Sequence, residues 1–398
     1  MTADSQSASL YWQPRRDAAR EALNQFLPHA GGHYARQRNF DRGPQDRDHV
    51  SRLSPWVRVR AISEPEIIRA VCSRHSPEAA DKFIQEVCWR TYWKGWLEMR
   101  PSIWTDYVQA VRVAKTQWKD RPEYIEAIEG QTQSPTFNAF LHELLDNGYL
   151  HNHARMWCAS IWIFTLRLPW ELGADLFLRH LLDGDAAVNT LSWRWVAGLQ
   201  TRGKQYVARP DNIIKYTEGR LGEGEVLAES PEPIMPLELP EPQPLPAFPE
   251  CPVDERGGLI ITEDDVSARE WLNQTHAVAG IFPLRAYQEA GIAASVVEFR
   301  QSLLQEAVAP EMVWNESESL ADAVCEWVNR NALNYIVIAE PPVGLGQSVI
   351  EQLSVICDAL SIPLYRQRHR WDEALFPYAT HGFFRFRKKL PKIIRHWL

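Results

Sequence analysis

The sequence predicts a mostly α protein, with an all-helical domain followed by a small C-terminal α/β domain. Three observations predict it. Apolar residues recur at helical spacing through the first 220 or so positions, and no run there alternates as a strand would. Between Glu223 and Glu255 lie nine acidic residues, no basic ones and many prolines, as in Leu239-Pro-Glu-Pro-Gln-Pro-Leu-Pro. Such a stretch makes an extended, poorly packed linker rather than a helix or strand. Beyond it, Gly258-Leu-Ile-Ile-Thr, Ala277-Val-Ala-Gly-Ile-Phe and Tyr335-Ile-Val-Ile-Ala are short apolar runs ending at turn residues, with helical patterns between them. They predict a parallel sheet. The expected units are therefore 1–222 (helical), 223–255 (linker) and 256–398 (α/β).

The helical elements follow in order. Arg15 to Phe26 carries apolar residues at helical spacing. Ser63-Glu-Pro-Glu reads as an N-cap opening a helix. Phe83–Trp96, Thr136–Leu145, Arg155–Leu166 and Glu171–Leu182 continue the same pattern. Pro342-Val-Gly-Leu-Gly-Gln lacks the Lys-Ser/Thr of a phosphate-binding loop and reads as a strand-to-helix turn.

Composition removes several function classes. No apolar run is long enough to span a bilayer, and Met1-Thr-Ala-Asp-Ser-Gln-Ser has no signal-peptide pattern, so the expected setting is cytoplasmic with no membrane partner. The six cysteines are scattered without a CxxC pair, which predicts free, buried thiols in a reducing compartment and no metal site. The overall charge of −8 conceals an asymmetry: residues 1–222 carry +4 and the remainder −12. A nucleic-acid partner for the first part is thus compatible with the composition. Seventeen tryptophans exceed what core filling needs, although most large aromatics are buried as core.

Candidate chemistry concentrates in four segments. Tyr34-Ala-Arg-Gln-Arg-Asn and the later Ser51-Arg-Leu-Ser-Pro-Trp place hydroxyls and arginines before a helix, a combination able to bind pyrophosphate. Phe83-Ile-Gln-Glu-Val-Cys-Trp-Arg-Thr-Tyr-Trp puts Glu86, Trp89, Arg90 and Trp93 on neighbouring helical turns, so a carboxylate and an indole can face one cavity. Gly148-Tyr-Leu-His-Asn-His-Ala-Arg-Met places Asn152 and Met156 on one face with Arg155 beside them. The fourth is Leu182-Asp-Gly-Asp-Ala-Ala-Val-Asn-Thr-Leu-Ser-Trp-Arg-Trp.

In this order and spacing, from about Arg15 to Arg220 and including Arg209-Pro-Asp-Asn-Ile-Ile-Lys-Tyr, the segments resemble the flavin domain of the photolyase/cryptochrome family. The resemblance implies a U-shaped FAD in a helical bowl. Tyr34, Ser51, Arg52, Leu53 and Ser54 would hold its phosphates and ribityl chain. Arg90, Asn152, Arg155, Asp183, Asp185 and Asn189 would surround the ring, with Arg155 paired to Asp183 and Asn189 facing N5. It also implies a photoreduction relay through Trp193, Trp170 and Trp118. The Asn152/Met156 pair resembles the form that repairs cyclobutane pyrimidine dimers by electron transfer from excited reduced flavin. Glu86 would then hydrogen-bond the flipped pyrimidines, while Trp89 and Trp195 grip them.

The pattern has departures. Val50 stands where many members have Thr, Phe83 where Trp is frequent, and His153 where Arg is common; Thr132-Gln-Ser-Pro lacks the usual Gly. The flavin-domain motifs begin near Met1, so no antenna domain is expected ahead of them and no antenna pigment is assigned. The C-terminal region, ending in Gly382-Phe-Phe-Arg-Phe-Arg-Lys-Lys-Leu-Pro, is expected to be either a relocated antenna-like domain or an unrelated α/β module. Its basic tail, Arg385 to Arg395, either touches DNA or solvates a terminus. Two functions remain open: a photolyase acting on UV-damaged DNA, single- or double-stranded, and a cryptochrome-like light sensor with a protein partner.

Overall fold

The computed structural model describes residues 11–201, 204–234, 238–252, 256–272, 277–317 and 319–397. The opening residues, on which the signal-peptide expectation rests, lie outside them. The helical part comprises α1 (Arg16–Phe26), α2 (Gly32–Gln37), α3 (Ser54–Arg58), α4 (Glu64–Cys72), α5 (Asp81–Glu98), α6 (Ser102–Trp118), α7 (Pro122–Glu129), α8 (Pro135–Asn147), α9 (Asn152–Ser160), α10 (Trp170–His180), α11 (Ala186–Val196) and α12 (Pro210–Tyr216). The mostly α expectation is met, and no strand precedes residue 257 among the described residues.

Local sequence sets most of these boundaries. Ser63 and Glu66 form a reciprocal capping box at the start of α4. Ser134 caps α8, Pro135 occupies its first turn, and left-handed Gly148 ends it. The helix expected over 155–166 begins earlier, at Asn152, because the His151 side chain accepts the His153 N–H. It then widens into a π-helical turn, Ile161–Thr165, that periodicity alone does not reveal.

The α/β part comprises β1 (Gly257–Thr262), α13 (Arg269–Leu272), β2 (Ala277–Phe282), α14 (Leu284–Ala290), α15 (Ala294–Ala307), β3 (Val313–Asn315), α16 (Leu320–Arg330), β4 (Tyr335–Ala339), α17 (Gln347–Leu360) and β5 (Leu364–Gln367), then α18 (Arg370–Leu375), α19 (Phe383–Arg387) and α20 (Leu390–Ile394). The strands are all parallel in the order β3-β2-β1-β4-β5. The order reverses between β1 and β4, which opens a crevice at their carboxyl ends. Successive strand residues point to opposite faces. Leu259, Ile261, Val337 and Ala339 share a core with the helical part, whereas Ile260, Ile336 and Ile338 pack with Val324, Trp327 and Leu353 of α16 and α17.

Two expectations need correction. The 223–255 segment has no helix or strand in its described residues, yet it is not poorly packed. Glu225 accepts the Ser134 hydroxyl and the Thr136 N–H, Pro240 accepts from Arg100, and Phe248 lies under Arg366 and Arg368. Paired carbonyls and a covered ring hold an extended chain without regular structure. The basic tail is not simply a solvated end either. Phe383, Phe386, Leu390 and Ile394 are buried, and Arg387 pairs with Asp81 at 2.9 Å.

Candidate functional site

The site is organised by the loop between α10 and α11. Asp185 is the N-cap of α11, accepting the N–H groups of Ala187 and Val188 at 2.9 Å each. Its other oxygen meets Arg90 of α5 at 2.9 Å. Two residues earlier, Asp183 accepts from Arg155 at 2.9 Å, and Arg155 also donates to the Leu150 carbonyl at 2.8 Å. Burial alone would raise both carboxyls. Arg155, with Ser54, instead holds Asp183 below the ordinary carboxylate range. Arg90, Arg58 and Lys94 hold Asp185 down to about 2. Asn189, one turn into α11, donates to the Ala174 carbonyl at 2.7 Å.

The Asp185 depression has a definite sign. A carboxyl with a lowered native pKa stabilises above its unfolded value and loses that contribution as pH falls through the native one. The contribution, about 2 kcal/mol, should be complete above about pH 4 and vanish toward about pH 2. Urea unfolding between pH 5 and pH 2.5 should show the Asp185→Asn variant converging on the parent at the acid end. A constant gap would show that the arginines do not act through this charge.

Facing that loop is the turn into α3. Arg52 adopts a left-handed φ of 52°, and Leu53 is buried as the α3 N-cap. Among the described residues, the N–H groups of 51–54 donate to no protein acceptor. Ser54 reaches Asp183, while the Arg52 guanidinium lies 3.8 Å above the Tyr11 ring. Tyr34 on α2 is buried edge-on against Phe26 and Phe83. Arg38, one turn after Tyr34, forms an ion pair with Glu86. Burial raises the Glu86 carboxyl while Arg38 opposes the rise.

The α/β part clamps this loop from behind. Arg58, at the end of α3, donates to the Gly184 carbonyl at 3.0 Å, to Asp264 at 2.8 Å and to Glu263 at 3.2 Å. Arg300 of α15 donates to the same Gly184 carbonyl at 2.7 Å and to Leu182 at 3.2 Å. Glu263 and Asp264 stand at the carboxyl end of β1, so the crevice between β1 and β4 is filled by Arg58, Gly184 and Ala186. Only about 10 Å³ remains there. Gly344 lies so near that a Cβ added to it would sit 2.9 Å from Ala186. The place where an open α/β sheet ordinarily takes a ligand is used to hold the other half of the chain.

The residues expected to face substrate are only partly assembled. Asn152 is exposed at the start of α9, and Met156 is half-buried one turn later. Trp89 stacks face to face on Phe383, with centroids 3.6 Å apart and planes at 11°. Trp195 stacks on Tyr206 at 5.8 Å. The expectation that Glu86 and Trp89 face one cavity is therefore corrected: Glu86 turns to Arg38, and one face of Trp89 is covered by the C-terminal segment. The proposed relay shows a gradient, with Trp193 at 2% exposure, Trp170 at 7% and Trp118 half-exposed. Gly173 makes room for Trp193, since an added Cβ would lie 2.3 Å from its ring. Trp170 contacts Tyr107 at 5.6 Å rather than another tryptophan of the three.

Sequence reasoning missed Arg58, Arg300 and Phe383. Nothing local marks them, since each works through a partner far away in the chain. Arg38 lay in a quoted motif without an assigned partner, and Glu86 supplies one.

The residues present fit FAD. Among the described residues, Asp183 Oδ1 is buried without a hydrogen-bond partner and the N–H groups of 51–54 meet no protein acceptor, a donor set suited to a pyrophosphate. Comparison with known proteins agrees. Residues 83–220 match the family model described as the FAD binding domain of DNA photolyase. The deoxyribodipyrimidine photo-lyase of Streptomyces griseus is 32% identical over 180 residues, covering 42% of this chain and 38% of that protein. A Thermus thermophilus protein of the same name is 32% identical over 201 residues, covering 49% and 45%. A solved class III photolyase from Agrobacterium tumefaciens is 26% identical with a TM-score of 0.47, over 55% of this chain and 46% of that one. The chain thus spans less than half the length of these relatives. Over residues 83–220 its helical part carries a photolyase-type FAD-binding domain.

Proposed function

We propose that this protein binds FAD and uses light to split cyclobutane pyrimidine dimers in DNA. The observation that carries the reading is the paired set Arg155–Asp183 and Arg90–Asp185, at 2.9 Å each, with Asn189 on the same element. When bound, FAD supplies light absorption and a single transferable electron. The chain's part is placement. Asp183 and Asp185 stay ionised and hold two guanidiniums at fixed positions, the 51–54 turn offers N–H groups to phosphates, and Tyr34, Ser51 and Leu53 line that end. Asn152 and Met156 present the lesion-facing edge, Glu86, with Oε1 held by Arg38, keeps Oε2 for a hydrogen bond to the pyrimidines, and Trp195 offers a ring. Trp193, Trp170 and Trp118 form the electron route to the surface; their graded burial supports it. The relatives named deoxyribodipyrimidine photo-lyase support the lyase class. The C-terminal α/β part is proposed to descend from an antenna-like domain, and a cytoplasmic location suits the free thiols of Cys72, Cys88, Cys158, Cys325 and Cys357.

The reduced protein should restore thymine absorbance when illuminated with dimer-containing oligonucleotides, and should do nothing in the dark. Glu86→Ala and Asn152→Ala should lose repair while retaining flavin. Absence of light-dependent repair on both single- and double-stranded substrates would sink the enzyme reading. The second reading, a cryptochrome-like sensor with a protein partner, is favoured by one observation: the Trp89 face that should receive a pyrimidine is occupied by Phe383.

A further inference from the structure

A pocket of about 380 Å³ opens beside the proposed lesion edge, lined by Asn39, His153, Tyr206, Val207, Arg209, Asn212 and Tyr216. Its position is set by neighbours already described. Asn39 follows Arg38, the partner of Glu86; His153 follows Asn152; and Tyr206 carries the ring on which Trp195 stacks. None of these lining residues belongs to the FAD-facing set.

The lining is built rather than incidental. Trp157, fully buried, stacks under His153 at 4.2 Å and donates its Nε1–H to Asn212 Oδ1 at 3.1 Å. That bond fixes the Asn212 amide so that its NH₂ group is the end left to donate. His153 Nδ1 lies 3.0 Å from the Asn39 carbonyl and must be the protonated nitrogen of a neutral ring, which leaves Nε2 as an acceptor. Burial lowers the His153 pKa, in keeping with a neutral ring. The Asn39 side-chain amide has no hydrogen-bond partner among the described residues, so it too has capacity left. Tyr216 packs on the His153 ring at 5.1 Å, and Arg209 is exposed at the rim, where a phosphate would compete with its solvent-screened pair to Asp211 at 3.1 Å. Aromatic walls, one fixed donor, one fixed acceptor, one adaptable amide and a rim cation match a single planar base with a phosphate attached.

We propose that this pocket binds one unstacked nucleotide, taken from the DNA strand next to the lesion. The assignment rests on the repair reading for the identity of that strand. Base recognition by the pocket itself needs neither light nor flavin. The shared chemistry, a nucleobase with a 5′-phosphate, has two sources, a DNA strand or a free nucleotide.

The test is binding in the dark, by fluorescence anisotropy, to labelled undamaged single-stranded oligonucleotides. Asn39→Ala removes a side chain that bonds nothing in the protein, and should weaken binding about tenfold. Arg209→Ala should weaken binding and lower its salt dependence by about one phosphate contact. Scanning one abasic position along a dimer-containing strand should find a single flanking position whose loss costs as much as Asn39→Ala. That position should add nothing in the Asn39→Ala background. A uniform response to abasic substitution, or an unchanged affinity in both variants, would overturn the proposal even if repair were observed. Conversely, a position-dependent loss in a protein without repair would sink the lesion reading alone. Tight binding of free TMP or dAMP by equilibrium dialysis, equal to that of the strand, would assign the pocket to free nucleotides and overturn the DNA source.

Discussion

Replacing Arg58 with leucine should cost about 3–5 kcal/mol of stability and release bound flavin, although Arg58 touches no residue expected to contact FAD except through the Asp183–Asp185 loop. The side chain is 8% exposed and neutralises Glu263 and Asp264, both buried, while its Nε–H holds the Gly184 carbonyl. Removing it strands two carboxylates in a space that excludes water. Burial and the neighbouring Glu263 already raise Asp264 to about 6, against the pull of Arg58. In the variant Asp264 should take up a proton more readily. A carboxyl with a raised native pKa stabilises below its unfolded value and loses that contribution as pH rises through the native one. The penalty should therefore be smaller at pH 5 than at pH 8. Denaturant unfolding at the two pH values, with flavin absorbance read in parallel, measures both effects. The exposed Arg285–Glu289 pair provides the control, since such surface pairs are worth about 0–1 kcal/mol. If Arg58→Leu costs no more than Arg285→Leu, the two halves of the chain are not held by this seam.

The second large effect is expected at Phe383. Its ring is 4% exposed and lies parallel to Trp89, with Tyr92 edge-on to it and Phe386 tilted against it at 5.9 Å. Phe383→Ala should cost about 3–5 kcal/mol, the range for truncating a buried aromatic. It should also uncover the Trp89 face. If Trp89 grips pyrimidines, Phe383 competes with the lesion for that face, and affinity for a dimer-containing single strand should rise severalfold in the variant. Phe383→Leu, which keeps more of the packing, should give a smaller rise at a smaller stability cost. An unchanged affinity in both variants, with the fold intact by circular dichroism, would remove Trp89 from the substrate site and strengthen the sensor reading.

The elements, and the residue types at the flavin site, are legible in the chain alone. Ser63 with Glu66, Ser134 with Pro135, and the left-handed glycine at 148 mark helix ends through contacts spanning a few residues. The apolar runs at 258–262, 277–282 and 335–339 are strands because both faces of each are covered. The pairing of Asp183 with Arg155 was legible only as an implication of the family resemblance, and the structure has it at 2.9 Å. The remainder depends on long-range contacts. Arg38 meets Glu86 across 48 positions, and Arg58 meets Asp264 across 206. Which tryptophan lies free and which is covered also depended on packing, since Trp89 and Phe383 are distant in sequence and stacked in space. Periodicity and capping report which face of a helix is buried. They carry no information about which long-range partner fills that face, because many aromatic or charged side chains satisfy the same pattern equally well. The positive charge of residues 1–222 reads, in sequence, as compatible with a nucleic-acid partner; only the fold shows that Arg58 is instead taken up by Glu263, Asp264 and the Gly184 carbonyl in clamping the Asp183–Asp185 loop.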